Sequence, residues 1–408
     1  MPEAVGNVLI VGAGPVGLLS ALALVQAGVR VTVIEAADQI SDAPRAAVYV
    51  PSTALVLDRL GILAELDALG AHGKQLGYHM PEFGFRALLP VDVPEHVPYA
   101  PTLHIGQDEV GRIAMEHAQR LGVDVRFGAR LVALDQDMNA VTATVETAAG
   151  VRELRAGWVI GADGARSTVR KLIGVEFAGH TWANRFIATN VYADCEALGY
   201  GDGNFVCDPV YSAVIARLDA KGLWRITYQE DASLPVESYR ERLPERYAFF
   251  LGDAPHELVA SNPYTLHQRC ATTLRRGRVL LAGDAAHATN PCGGMGLTTG
   301  IWTGMILSDV LAAVIAGDAD SEILDLYSDE RRRIFWELTS PVATECKRLL
   351  EEKDPLRRRE DLANLKAQAA DPTAGRGTVL FPFKLIGDTL RAGSRWADAD
   401  LSQRAASA

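Results

Sequence analysis

The chain has 408 residues, a formal net charge of -11, 48% hydrophobic and 22% charged residues, the balance of a globular protein with room for two or three domains. The acidic balance argues against nucleic acid as a principal partner, because a phosphate backbone calls for a basic surface. Five scattered cysteines, Cys195, Cys207, Cys270, Cys292 and Cys346, form no C-x-x-C pair and no metal-ligand spacing. They predict reduced thiols, no metal site and a cytoplasmic location.

In chain order, residues 7–11 predict a short buried strand running into Gly12-Ala-Gly14-Pro-Val-Gly17. Residues 15–27 predict a helix that stops at Gly28, and residues 29–35 a second strand ending on Glu35. That is one βαβ unit. The apolar stretch 16–29 is interrupted by Ser20, Gln26 and Gly28 and is too short for a membrane span, while Glu3 stands where a secretory leader is basic. A strand end and helix follow over 103–120, a strand over 122–127, and a hairpin over 131–151 turning at Asp137 and Asn139. The short strand 156–160 leads into Gly161-Ala-Asp163-Gly164-Ala-Arg166-Ser-Thr-Val-Arg170.

Between 175 and 271 the pattern changes to alternating segments (186–192, 213–218, 223–228) that predict a mostly antiparallel sheet. A buried strand over 278–282 then precedes Gly283-Asp284-Ala-Ala-His287 and Pro291-Cys-Gly293-Gly294-Met-Gly296, with an apolar helix starting near Leu297. Residues 305–370 are helical by pattern, and the arginine runs 331–333 and 357–359 predict solvated helix faces. The alanine-rich tail after Gly393 predicts poor order. The fold class is α/β. Residues 1–70, 101–174 and 272–330 form a discontinuous nucleotide-binding domain; 71–100 and 175–271 form an inserted sheet domain for substrate; 331–408 form a helical C-terminal region.

In the first motif Gly12 permits the tight turn, Gly14 lets backbone approach a pyrophosphate, and Gly17 lets helix and sheet pack closely. The helix N-terminus offers unpaired N–H groups and partial positive charge to the phosphates. Glu35 lies where a carboxylate accepts hydrogen bonds from a ribose. Asp284 falls just past a buried strand, where open α/β sheets bind ligands, and the helix after Gly296 directs its positive end at the same edge.

The ordered set of three motifs, together with Pro44-Arg45-Ala46, resembles the single-component FAD-dependent aromatic hydroxylases, the para-hydroxybenzoate hydroxylase family, over roughly residues 5 to 330. The resemblance implies a Rossmann-like FAD domain in which Gly12, Ala13, Gly14, Gly17, Glu35 and Ala36 hold the adenosine half. It implies that Arg45 and Gln107 lie along the diphosphate and ribityl chain, and that Asp163 serves both FAD and the nicotinamide cofactor. Asp284 would bind flavin-chain hydroxyls and Pro291 would lie beside the ring. Gly294, Gly296 and Leu297 would meet the pyrimidine end of the isoalloxazine. His287 matches a family position and is expected to be structural; Cys292 is expected to be a partly buried free thiol. Members often carry Gln, Asn and Asp where Met295, Thr298 and Thr303 stand, which weakens side-chain arguments there but not backbone ones.

The implied reaction is hydroxylation of a phenolic or polycyclic or heteroaromatic small molecule by O2 through a flavin hydroperoxide, with FAD bound and NADPH or NADH a transient reductant. No second strand-linked glycine motif is present for a resident nicotinamide cofactor. A Baeyer–Villiger or epoxidising relative, or a catalytically silent FAD-binding protein, shares the motifs. Tyr192, Tyr211, Tyr228, Arg217 and His267 are the titratable groups on or near the inserted strands, and none is assigned as catalytic base. The expected assembly is a monomer or homodimer.

Overall fold

The computed structural model describes residues 6–44, 47–97, 99, 102–391 and 394–399. Among them the central layer is a six-stranded sheet in the order Arg275–Arg276, Val279–Leu281, Trp158–Gly161, Asn7–Val11, Arg30–Ile34 and Asp124–Arg126. All neighbours are parallel except the first pair. Its inner strands are mostly apolar and largely buried because both faces are covered, as parallel sheets require.

The helix Pro15–Gln26 is buried from Gly17 to Leu24, with Pro15 supplying a pre-set φ in its first turn. It lies against the helices Gln107–Arg120 and Met295–Ala316. Gly300 and Gly304 make the second crossing close: a Cβ on Gly304 would stand 2.6 Å from Ser20 Oγ, and one on Gly300 would stand 3.3 Å from Val16 Cγ2. The helix Met295–Ala316, extended back to Cys292, is long and apolar enough to cross a bilayer, yet 67% of its most apolar window is buried inside the chain. It is a core helix.

The strands Arg130–Gln136, Val141–Thr147 and Gly150–Ala156 form an antiparallel sheet, so the expected hairpin gains a third strand. An eight-stranded sheet draws its strands from Gln75–Met80 and Phe85–Pro90, and from the segment between Phe177 and Ala271, with His287–Ala288 at one edge. Its long members, Phe177–Ala193 and His256–Ala271, pair along most of their length, with bulges near Thr181 and Asn190. One face buries Ile187, Val191, Ile215, Trp224, Ile226 and Tyr228 beneath Tyr247, Phe250 and Leu251 of the helix Leu243–Leu251. The other face carries Phe186, Tyr264, Val214, Phe205 and Tyr78, and packs with Cys292, Leu350 and Leu365.

The C-terminal third corrects two expectations. Each arginine run has one member in the interior: Arg331 is fully buried and donates to the carbonyls of Ile386 (2.9 Å) and Leu385 (2.8 Å), and Arg358 is buried against Glu82. Three consecutive helical residues fan over about 200°, so a helix packed on more than one side takes at least one of them into the interior. The tail is also not uniformly loose. Within the described residues 394–399, Trp396 is fully buried and meets Trp302 edge-on, with ring centroids 5.1 Å apart. Burial of an indole outweighs the polar composition around it. Residues 392–393 and 400–408 lie outside the described residues. Trp396→Ala is expected to cost about 3–5 kcal/mol of stability, read as a lower urea midpoint of unfolding.

Candidate active site

The three motifs meet because the residues before them are register partners. Val11 pairs with Ile34 on one side and Gly161 on the other, and Gly161 pairs with Leu281. The chain therefore leaves the sheet at one edge four times, into Gly12, Glu35, Ala162 and Ala282. Backbone bonds continue across that edge: Gly12 N–H donates to Ile34 (2.8 Å), Ala162 N–H to Val11 (2.8 Å) and Ala282 N–H to Gly161 (2.9 Å).

At that edge the glycines have unlike tasks. Gly12 has φ +112°, and a Cβ on it would stand 2.4 Å from the Ala162 carbonyl oxygen. A Cβ on Gly17 would stand 2.1 Å from the Gly12 oxygen. Both positions exclude any side chain because protein backbone is already there. Gly14 differs: no heavy atom lies within 4 Å of where its Cβ would be. The space beside Gly14 suits a ligand.

Glu35, half-buried, accepts from the backbone N–H of Ala13 with Oε2 and of Ala37 with Oε1, both at 2.9 Å. A carboxylate has about four acceptor positions, so a pair of ribose hydroxyls still has lone pairs to use. Ala36 is exposed beside it. Gln107 opens the helix Gln107–Arg120, whose crossover into the parallel strand Asp124–Arg126 sets its N-terminus at the same edge. The helices at Pro15, Gln107 and Met295 all start on glycine N-caps (Gly14, Gly106, Gly294), with no side chain of their own to occupy the first-turn N–H groups. Arg45 lies outside the described residues.

Asp163 faces inward. Its oxygens accept from Ser167 Oγ (2.5 Å) and the N–H groups of Thr168 (2.6 Å) and Val169 (3.0 Å), which caps the short helix Thr168–Leu172. Burial pushes its carboxyl pKa up, opposed by those bonds. Arg170 joins this motif to the next, donating to the carbonyls of Ala165 (2.7 Å) and Ala285 (2.8 Å) with its guanidinium 3.8 Å from the Phe177 ring centroid. Asp284 is exposed at the edge. Pro291 and Leu297 are half-buried, and Gly293 and Gly294 turn the chain with φ +82° and +69° into the helix that bears Gly296.

His287 is fully enclosed, with Nε2 2.8 Å from Thr303 Oγ1 and its ring stacked on Phe335. Burial, with Arg331 nearby, lowers its pKa to about 3, so it is a neutral structural group. Cys292 is fully buried, and burial raises its thiol pKa well above the usual range.

None of the five titratable candidates belongs to the apolar cluster between the inserted sheet, Cys292 and the C-terminal helices. Tyr211 stacks on Phe249 and donates to Glu245 at 2.7 Å; Tyr228 lies on the opposite face; Arg217 holds the Asp219 carbonyl; His267 engages Thr181; Tyr192 is exposed. The groups turned toward the FAD-side edge are others. Arg225 is buried, bonded through Nε to Asn190 Oδ1 at 3.0 Å, and lies within electrostatic range of Tyr264, Asp108 and Tyr49. Burial lowers its pKa to about 10, which leaves it cationic at neutral pH. The Tyr49 hydroxyl is fully buried with no hydrogen-bond partner among the described residues. The alternation Trp224, Ile226, Tyr228 against Arg225, Thr227 was the available signal, an arginine on the minority face of an otherwise apolar strand.

A two-lobed architecture with three glycine motifs converging on one sheet edge defines a flavin-dependent oxidoreductase site. Residues 6–341 match the family described as FAD binding domain, and the chain belongs to that family. It is 42% identical over 398 residues to para-nitrophenol 4-monooxygenase of Pseudomonas sp. (strain WBC-3), covering 94% of this chain and 97% of that protein. It is 39% identical over 383 residues to 6-hydroxy-3-succinoylpyridine 3-monooxygenase HspB of Pseudomonas putida (strain DSM 28022 / S16), covering 92% and 97%. The crystal structure of p-nitrophenol 4-monooxygenase PnpA from Pseudomonas putida DLL-E4 superposes with a TM-score of 0.90 at 42% identity, over 95% of this chain and 99% of that one. The protein is an FAD-dependent aromatic monooxygenase that acts on a small molecule with O2 and NAD(P)H.

His287 contributes a pH dependence with a definite sign. Its folded pKa of about 3 lies below the ordinary value of 6.5, so the unfolded chain binds more protons between them. Stability from this group is present above about pH 6.5 and lost as pH falls, by roughly 1.4 kcal/mol per pH unit. His287→Gln is expected to reduce that slope by about one proton, read from urea unfolding at pH 5 and pH 8.

Proposed function

We propose that the protein hydroxylates a single-ring phenol or hydroxypyridine at the carbon para to its hydroxyl group. The names of the two relatives above place the oxygenated carbon para to a ring hydroxyl, at positions 4 and 3 of their substrates. The observation that carries the reading is the buried cation Arg225, held by Asn190 on the inner face of the inserted sheet and close to Tyr264, Asp108 and Tyr49, whose buried hydroxyl has no partner among the described residues. On the same face of the sheet Phe186, Tyr264, Phe205 and Tyr78 pack with Cys292, Leu350 and Leu365 in an apolar cluster. Apolar surroundings of this kind suit one aromatic ring and keep water from reacting atoms.

In this reading the discontinuous domain of residues 1–70, 101–174 and 272–330 holds FAD, the sheet of 71–100 and 175–271 holds substrate, and 331–408 are the helical C-terminal region. Gly14 and the helix starting at Pro15 receive the pyrophosphate, and Glu35 accepts from the ribose. Gln107 and Asp284 flank the chain between the two ring systems. Asp163 contributes by fixing the loop that it caps. The first-turn N–H groups at Gly296 and Leu297 face the pyrimidine end of the isoalloxazine. When bound, FAD reduced by NAD(P)H supplies the activation of dioxygen. The chain's own contribution is to orient the ring, exclude water and place Arg225, a fixed cation, where it favours a phenolate over a phenol. The five free cysteines support a reducing, cytoplasmic setting, with the protein acting as a monomer or homodimer.

Two measurements test this. NAD(P)H oxidation is expected to accelerate with para-substituted phenols and to yield a product carrying one atom from labelled O2; a broad panel with neither effect overturns the reading. Gly14→Ser places a good N-cap residue where no protein atom is displaced, so the apoprotein is expected to melt within about 1 °C of the parent. The same hydroxymethyl group fills the pyrophosphate space, and FAD affinity is expected to fall at least tenfold.

A further inference from the structure

Behind the loop that ends in Gly294, one polar side chain joins three separate parts of the chain. Gln268, on the strand His256–Ala271, is 1% exposed. Its amide oxygen accepts from Thr289 Oγ1 at 2.9 Å and from Asn290 Nδ2 at 3.1 Å, while its Nε2 donates to Ser340 Oγ at 2.8 Å. Asn290, also fully buried, passes the restraint on, accepting from the Cys292 backbone N–H with Oδ1 at 3.0 Å. The Thr289 methyl group lies 3.3 Å from where a Cβ on Gly296 would stand, so the loop closes onto the first turn of the helix it precedes.

Ser340 is held in turn. It follows the π-turn Phe335–Thr339, a widened stretch inside a helical run, and Thr339 Oγ1 hydrogen-bonds Thr299 Oγ1 at 2.8 Å. The Met295–Ala316 helix start is thus tied to residues 339–340 twice, directly through Thr299 and indirectly through Gln268. Leucine at position 268 would leave buried groups on Thr289, Asn290 and Ser340 without a partner. They would recover hydrogen bonds only by moving the loop.

We propose that Gln268 is a positioning residue for the flavin. By clamping Thr289 and Asn290 to Ser340, it fixes the height and tilt of the N–H groups at Gly296 and Leu297, and so sets how strongly the site prefers the reduced, more negatively charged cofactor. This rests on the reading that those N–H groups face the pyrimidine end of the ring. The physical link is the N-terminal charge of the helix, which is worth most when its donors are aimed in advance at the developing negative charge.

The test is the FAD midpoint potential of the holoenzyme, by dye-coupled reductive titration, in the parent, Gln268→Leu and Gly296→Val. Gln268→Leu is expected to retain FAD and to weaken the preference for reduced over oxidised cofactor about tenfold, about 30 mV for a two-electron couple. A merely structural role for Gln268 would lower the melting temperature and leave the potential where it was. An unchanged potential in Gln268→Leu, with a shift in Gly296→Val, overturns the clamp and spares the reading of the loop. No shift in either variant removes that reading and the clamp together. Should Gln268→Leu fail to fold, Ser340→Ala takes its place: a lowered preference of about threefold supports the clamp, and an unchanged potential overturns it.

Discussion

The structure depends on backbone meeting backbone at the carboxyl edge of the parallel sheet. Gly12 lies against the Ala162 backbone and Gly17 against the Gly12 carbonyl at distances no Cβ would allow, and Val16 fits closely against Gly283 and Gly300. Segments near residues 12, 162 and 283 can converge only because side chains are missing where they cross. Once they converge, helix starts at Pro15 and Met295 are delivered to one edge, where their first-turn N–H groups favour anionic or electron-rich groups. Gly14, with no heavy atom within 4 Å of where its Cβ would stand, leaves open space at the first of these helix starts.

That edge was legible in the sequence because its physics is local. A strand, a glycine turn and a helix announce themselves within about 25 residues, and the strands before the second and third motifs are short and apolar enough to predict parallel pairing. The inner face of the inserted sheet was not legible. Which of Arg225 or Tyr228 faces inward depends on register, and the bulges near Thr181 and Asn190 reset register within a single strand pair. The five titratable residues singled out from sequence were those with familiar chemistry, and the sheet turned them toward solvent or toward the helix Leu243–Leu251. Arg331, Arg358 and Trp396 were missed for a related reason: composition describes a segment on average, and burial selects individual side chains from it.

The C-terminal region connects these two scales. Its helices pack Leu350 and Leu365 against the inserted sheet, and the π-turn before them sets Thr339 against Thr299 of the Met295–Ala316 helix and Ser340 against Gln268. His287 and Thr303 pair inside the same contact, with Arg331 donating to Thr303 at 3.3 Å and Phe335 stacked on the imidazole. A neutral histidine satisfied by a hydroxyl is a sound arrangement in a dry interior, where an ion pair would carry a heavy desolvation cost. The Thr303 hydroxyl therefore serves both His287 and Arg331, and Arg331 finds further acceptors in the carbonyls of Leu385 and Ile386. The helical run from Ile323 to Glu351 thus braces the start of the Met295–Ala316 helix through Thr339 and reaches the inner face of the inserted sheet through Leu350, although it contains none of the glycine motifs.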